Sequence, residues 1–356
     1  MVLLLSSPGP LGAASPALPP VQTRKTGGNH RSRPEPGQVG TGPAPADGPP
    51  ADGRATPPVP GPGPTLGGDG TANEKGNPMS QTPPPDHTLL DARTLPAVGL
   101  GTWPLDDDAA EQAVAGALGL GYRLVDTALN YGNETGTGRG IARSGVPRED
   151  VLVTTKVPGR HHGYEETLAS FEESRGNLGL EYVDLYLIHW PLPEVDKYVD
   201  TWRAMIKLRE EGLVRSIGVS NFTAEHLDRL ERETGVLPVV NQIEMHPLLP
   251  QEELRAVHAA KGIVTESWSP LARGRRVLEA PEVVAAAEAH GVTPGQVVLR
   301  WHTQLGAVPI PKSADPGRQR QNLDLSGFEL TPGEVTAIGS RPPHRFGGDP
   351  ETHEEF

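Results

Sequence analysis

From residue 97 onward, short apolar runs alternate with helical patterns, and this repeat constrains the fold more than any other feature of the chain. The runs 97–100, 122–126, 151–156, 182–189, 214–219, 239–243, 263–268 and 306–310 read as strands. Between them, stretches such as Asp107–Leu118, Gly163–Asn177, Val199–Glu211, Thr223–Glu233 and Pro281–His290 carry helical spacing. Several have acidic first turns and a glycine just beyond the last turn. A helix over Asn133–Arg143 is weakened by its glycines. Strand ends fall near 101, 126, 156, 189, 219, 243, 267 and 310, mostly 23–33 residues apart, the size of a βα unit. Such a repeat builds either a doubly wound sheet or a (β/α)8 barrel. The count of eight favours the barrel. So does Gly99-Leu100-Gly101, which lacks the third glycine and the following helix of a dinucleotide fingerprint. The expected fold is α/β: a (β/α)8 TIM barrel, one domain over 87–356, with residues 87–96 as a hairpin across the barrel floor.

The first 86 residues differ. They hold 20 of the 39 prolines and 15 of the 43 glycines but no Trp, Tyr or Phe. Such a segment buries too little apolar surface to offset the entropy of ordering, so 1–86 is expected to be a disordered extension. Its apolar start lacks the basic region of a signal peptide and is broken by Pro8 and Pro10; Met79 offers an alternative translation start. The remainder carries all 16 aromatic residues and the whole net charge of −13. An acidic surface of this kind does not suit nucleic acid. No apolar run of 18 residues is present, so no membrane span is expected. Zero cysteine excludes a disulfide scaffold, a thiolate metal site and a cysteine nucleophile, and fits a reducing compartment, with the cytoplasm as the expected location.

In a barrel the chemistry sits at the C-terminal ends of the strands. The second strand ends in Asp126, with Tyr131 in the loop beyond it; the third ends in Lys156 and the fourth in His189. Such a set suits acid catalysis by a phenol. A Tyr with a pKa near 10 donates poorly at neutral pH; a neighbouring ammonium favours the phenolate and lowers that value. Asp126 would keep Lys156 charged and fixed, and His189 would orient a substrate oxygen. Protonating a carbonyl oxygen requires hydride at the carbon, which no side chain supplies, so a cofactor is implied. After the last strand, Ile310-Pro311-Lys312-Ser313 with Arg318 and Asn322 forms a phosphate site at the usual barrel position. Ser220, Asn221 and Gln242 suit an amide, and Trp268 offers a stacking face. No metal is expected, because His189, His246 and Asp126 are too scattered for a ligand set.

Taken together the motifs VGLGTW (98–103), GYRLVDTALNYGNE (121–134), VTTK (153–156), GLEYVDLYLIHWP (179–191), GLVRSIGVSNF (212–222), NQIEMHP (241–247), SPLARG (269–274) and IPKS (310–313) are specific in order and spacing. The chain resembles the aldo-keto reductases, and within them the bacterial 2,5-diketo-D-gluconic acid reductase group. The resemblance implies Tyr131 as general acid, Lys156 and Asp126 as its tuning pair and His189 as orienter. It implies NADPH/NADP+ as cofactor, with its carboxamide on Ser220, Asn221 and Gln242 and its ring on Trp268, where relatives commonly have Tyr. Ser269 and Leu271 would join the pyrophosphate clasp. Lys312, Ser313 and Arg318 would take the 2′-phosphate, with Gln321 and Asn322 at the adenine. Gln321 stands where the family usually has Glu. Trp103, Asn130, His189 and Trp190 would line the pocket for a small-molecule carbonyl substrate, and a monomer is implied. The short chain end, Arg345–Pro350, leads one to expect an open pocket. Two alternatives stand: a non-catalytic NADPH-binding sensor or scaffold on the same barrel, and an unrelated barrel enzyme such as an isomerase using Lys156 and His189.

Overall fold

The computed structural model describes residues 83–355; the segment 1–82, most of the extension expected to be disordered, lies outside the described residues. Eight parallel strands follow one another around a single sheet in chain order. They are β3 (Leu100–Gly101), β4 (Leu124–Asp126), β5 (Leu152–Val157), β6 (Val183–Ile188), β7 (Val214–Ser220), β8 (Val240–Glu244), β9 (Val264–Trp268) and β10 (Ala307–Pro309). The sheet closes on itself: Gly99 N–H donates to Pro309 O and Gly101 N–H to Pro311 O, both at 3.1 Å. The expected (β/α)8 barrel is therefore present. The seam needs glycine, because a Cβ on Gly99 would lie 2.6 Å from Ile310 Cδ1 and 2.8 Å from Leu124 Cγ. Only Leu100–Gly101 ladders as a strand there, shorter than the 97–100 run suggests.

The antiparallel hairpin β1 (His87–Thr88) and β2 (Thr94–Leu95) forms as expected. Its Leu95 and the adjoining Leu89 pack into the cluster made by Leu124, Leu185, Leu187, Val240, Val308 and Ile310, and so plug the barrel floor. Strand alternation divides the core. In β6, Leu185 and Leu187 join that inner cluster, while the alternate residues Tyr186 and Ile188 pack outward in the cluster that holds helix residues such as Phe171, Trp202 and Met205. Each such large side chain contributes roughly 1.5–3 kcal/mol by burial.

Helix α1 (Asp107–Leu120) runs two residues beyond the expected end, from an Asp106 cap that accepts Ala109 N–H to Gly121 at φ 110°. Helix α2 (Glu134–Ser144) keeps its glycines for contact rather than in spite of it. A Cβ on Gly136 would sit 1.9 Å from Asp107 O, and one on Gly138 would sit 2.0 Å from Leu178 O. The helix Ala224–Thr234 starts at Thr223, which forms a capping box with His226. A further helix at Pro332–Gly339 is not expected from the sequence pattern; its Thr331-Pro332-Gly333-Glu334 start is a capping box.

Candidate active site

The barrel mouth assembles the four strand-end groups. Asp126 is the last residue of β4 and Lys156 the fifth of β5, whose register pairs Asp126 with Thr154. Tyr131 ends a single 3-10 turn, Leu129–Tyr131, where the sequence pattern shows only a loop. That turn is held by the fully buried Asn133: its amide nitrogen donates to Thr102 O (3.2 Å) and Leu105 O (2.8 Å), and its Oδ1 accepts from Thr127 Oγ1 (2.8 Å). His189 follows β6 directly, and its ring meets Tyr131 edge-on at 5.7 Å between centroids.

Lys156 Nζ donates to Asp126 Oδ1 (2.7 Å) and Oδ2 (2.8 Å), to Thr127 O (2.9 Å) and to the Tyr131 hydroxyl (3.3 Å). Burial works against the ammonium, but Asp126 and Tyr131 together raise its pKa, so it stays charged. Tyr131 departs from expectation. Its pKa is raised, because burial outweighs the downward pull of Lys156. The phenol therefore holds its proton at neutral pH, and the ammonium bears on the phenolate once the proton has gone.

Below this pair lies a carboxyl that the motifs do not single out. Gln242 Nε2 donates to Asp126 Oδ2 (2.8 Å) and to Glu266 Oε2 (2.9 Å). Glu266 is fully buried inside the barrel, where burial first and the Asp126 charge second push its pKa up to about 8. An acidic residue within the strand pattern Val264-Thr-Glu-Ser-Trp268 is the signal that the sequence carries for it. Because the Gln242 nitrogen is spoken for, its amide oxygen is the end left for a ligand. Among the described residues no side chain donates to it.

The other expected cofactor residues share the same rim. Ser220 Oγ donates to Gln242 O (2.8 Å); Asn221, at φ 64°, donates to His189 O (3.0 Å) and Ser220 Oγ (3.1 Å). The half-buried Trp268 donates from Nε1 to Asn221 Oδ1 at 2.8 Å, which fixes both. Ser269 takes φ 50° and begins the loop through the half-buried Leu271. Lys312, Arg318 and Gln321 are exposed, whereas Asn322 is buried. Ser313 is buried and accepts from Asp315 N–H (3.1 Å), and Asp315 caps the helix Pro316–Leu323. Among the described residues no group of three His, Asp or Glu side chains is arranged to hold a metal ion.

Of the residues expected to line a substrate pocket, Trp103 is 53% exposed, while Trp190 is buried and packs 6.5 Å from Trp268. Asn130 and His189 are not free, and the pocket is not open as the short chain end suggests. Residues 344–355 cross the mouth and bring Glu355 to within 2.6 Å of His189 Nδ1. Tail contacts of this kind are non-local and leave no signal in the local sequence.

Fold and site together define a barrel oxidoreductase with a Tyr, Lys, Asp and His mouth. The sequence profile described as "Aldo/keto reductase family" matches residues 97–340. An aldo-keto reductase from Mycolicibacterium smegmatis is 54% identical over 75% of this chain and 98% of its own length. A 2,5-diketo-D-gluconic acid reductase B from Corynebacterium sp. is 53% identical over 76% of this chain and 99% of its own. Among solved structures, a Gox0644 mutant in complex with NADPH matches at TM-score 0.73 and 44% identity, covering 77% of this chain and all of that one. An aldo/keto reductase from Brucella melitensis matches at TM-score 0.69 and 48% identity, covering 72% and 98%. The chain belongs to the aldo/keto reductase family and is an enzyme of that oxidoreductase class. No helix among the described residues is long and apolar enough to cross a membrane.

Proposed function

We propose that this protein reduces aldehydes or ketones to alcohols with NADPH, with Tyr131 as the proton donor. The observation that carries the reading is the contact of the Tyr131 hydroxyl with the buried Lys156, whose charge Asp126 balances. NADPH, when bound, supplies the hydride. Trp268 would take the nicotinamide face and Gln242 the carboxamide. Lys312 and Arg318 would take the 2′-phosphate, the part that separates NADPH from NADH. The solved relative in complex with NADPH supports that choice.

Within the chain the work is done on one proton. Burial keeps it on Tyr131 Oη until a substrate oxygen arrives. As negative charge grows on that oxygen, the phenol gives up its proton, and Lys156 stabilises the phenolate left behind. Asp126 holds Lys156 in place, and His189 flanks the same point. In the oxidative direction Tyr131 would serve as base. We take residues 87–356 as the catalytic domain of a cytoplasmic monomer, a setting that the cysteine-free sequence suits, with 1–86 outside it. Candidate substrates are 2,5-diketo-D-gluconate, after the named relative, and small reactive carbonyls such as methylglyoxal. The test follows the near-ultraviolet absorbance of NADPH with the full chain across these carbonyls. Loss of absorbance that depends on both carbonyl and Tyr131 supports the reading; tight NADPH binding without turnover would favour the sensor alternative.

A further inference from the structure

Near its end the chain crosses the barrel mouth as a strap, anchored on Glu244, the last residue of β8. This carboxylate is fully buried. Its Oε1 accepts from Phe346 N–H at 2.6 Å and its Oε2 from Gly347 N–H at 2.8 Å, and His246 Nε2 lies 3.0 Å from Oε1. Burial alone would favour the neutral acid, yet His246 and the two amides hold Glu244 below the usual carboxylate range. Just before these amides, His344 N–H donates to Leu248 O at 2.7 Å. At the far end of the strap Glu355 accepts from Asn130 Nδ2 (2.5 Å) and Gly159 N–H (3.0 Å).

The anchor sets the strap against two elements expected to hold the cofactor. The first is Trp268, which the sheet register pairs with Glu244. Gly347 is carried onto the indole: a Cβ there would lie 2.3 Å from Trp268 Cη2, 3.1 Å from Cζ2 and 2.9 Å from Glu244 Oε2. Only a residue without a side chain passes between the ring and the carboxylate. The opposite end of the indole is tied down by Nε1, which donates to Asn221 Oδ1 at 2.8 Å. A ring held at its pyrrole end by Asn221 and at its benzenoid end by the strap presents one fixed plane. The second element is the loop that begins at Ser269. Its Arg273 donates from Nη2 to Phe346 O at 3.4 Å, and the guanidinium lies 5.6 Å from the centre of the Phe346 ring.

We propose that the strap segment His344–Gly347 is a clamp for the bound cofactor: docked on Glu244 it fixes the Trp268 plane for the nicotinamide, with Gly347 as the positioning residue, and NADPH in turn holds the strap down. This deepens the reductase reading and rests on it for Trp268 as the nicotinamide platform. The coupling is mutual by thermodynamic necessity. Whatever factor strap docking adds to NADPH affinity, NADPH adds to strap docking. Because it acts through Trp268, it concerns the nicotinamide half of NADPH and not the 2′-phosphate half.

The test compares the full chain with Gly347→Ala. Gly347 does not take a positive φ, so alanine adds a Cβ without straining the backbone. Calorimetric titration with NADPH and with 2′,5′-ADP, which keeps the 2′-phosphate and lacks the nicotinamide, reads the coupling without turnover. Gly347→Ala is expected to bind NADPH about tenfold more weakly, within the usual range of coupling between sites, and to bind 2′,5′-ADP as the wild type does. A fold damaged in general would lose both ligands. Trypsin cleavage after Arg345, followed by mass spectrometry, reads the strap itself. NADPH should slow that cleavage by about the same tenfold in the wild type, 2′,5′-ADP should not, and Gly347→Ala should lose the protection. Equal NADPH affinity in the two proteins, a loss shared by 2′,5′-ADP, or cleavage indifferent to NADPH would overturn the proposal. If NADPH binds and no carbonyl is reduced, the reductase reading fails, and the titrations and the cleavage rates still decide the clamp.

Discussion

Lys156 and Asp126 form a two-pronged ion pair at 2.7 and 2.8 Å, with the lysine wholly withdrawn from solvent. Removing one partner of such a pair strands the other charge, which costs about 3–5 kcal/mol. Lys156→Met should therefore lower the unfolding free energy by about that much. Combining it with Asp126→Asn should recover at least half of the loss, because Asn still accepts from Gln242 and no bare charge remains. Activity should stay lost in both. Denaturant titration and steady-state rates on the two variants check this; a double variant no more stable than Lys156→Met would contradict it.

Glu266 links stability to pH. In the folded chain it keeps its proton up to about 8, whereas the unfolded chain releases it near 4.5. Between those values the native state binds more protons, so the unfolding free energy falls as pH rises. Across that window each step of one in pH removes about 1.4 kcal/mol at most. Glu266→Gln has no proton to lose. It should match the wild type near pH 5 and be more stable by a few kcal/mol near pH 8, as read by denaturant midpoints. Parallel stability profiles would refute the link.

Lys312 stands exposed just past the last strand, beside the Arg318 helix. Lys312→Ala should weaken NADPH by about 1.5–3 kcal/mol, the worth of a charge-assisted bond, and leave NADH nearly unchanged. Tryptophan fluorescence titration measures both. Equal weakening of the two cofactors would remove Lys312 from the 2′-phosphate.

The barrel is readable in the sequence because most strand ends repeat at one βα interval and glycine stops mark the helices. Asp126, Lys156 and His189 are readable too, since a barrel sends its strand ends to one rim. The direction of the Tyr131 pKa is not, because burial inside a 3-10 turn leaves no trace in residue spacing. Glu266 is visible as a letter, a carboxylate inside a strand; what matters is its facing Asp126 across Gln242, which is a tertiary fact. Glu355 is further still from local reading, with its partners Asn130 and Gly159 about two hundred residues away. Two of the glycines in α2, which count against a helix in the sequence, turn out to be where neighbouring backbone packs against it.

The central claim is that the Tyr131 hydroxyl carries the transferred proton, and Tyr131→Phe tests it most directly. The full chain and this variant would be compared for NADPH oxidation with methylglyoxal and for NADPH affinity. The account predicts a fall in turnover of about 10²–10⁴-fold with affinity for NADPH nearly intact. A variant that keeps more than about a tenth of the wild-type rate would contradict it.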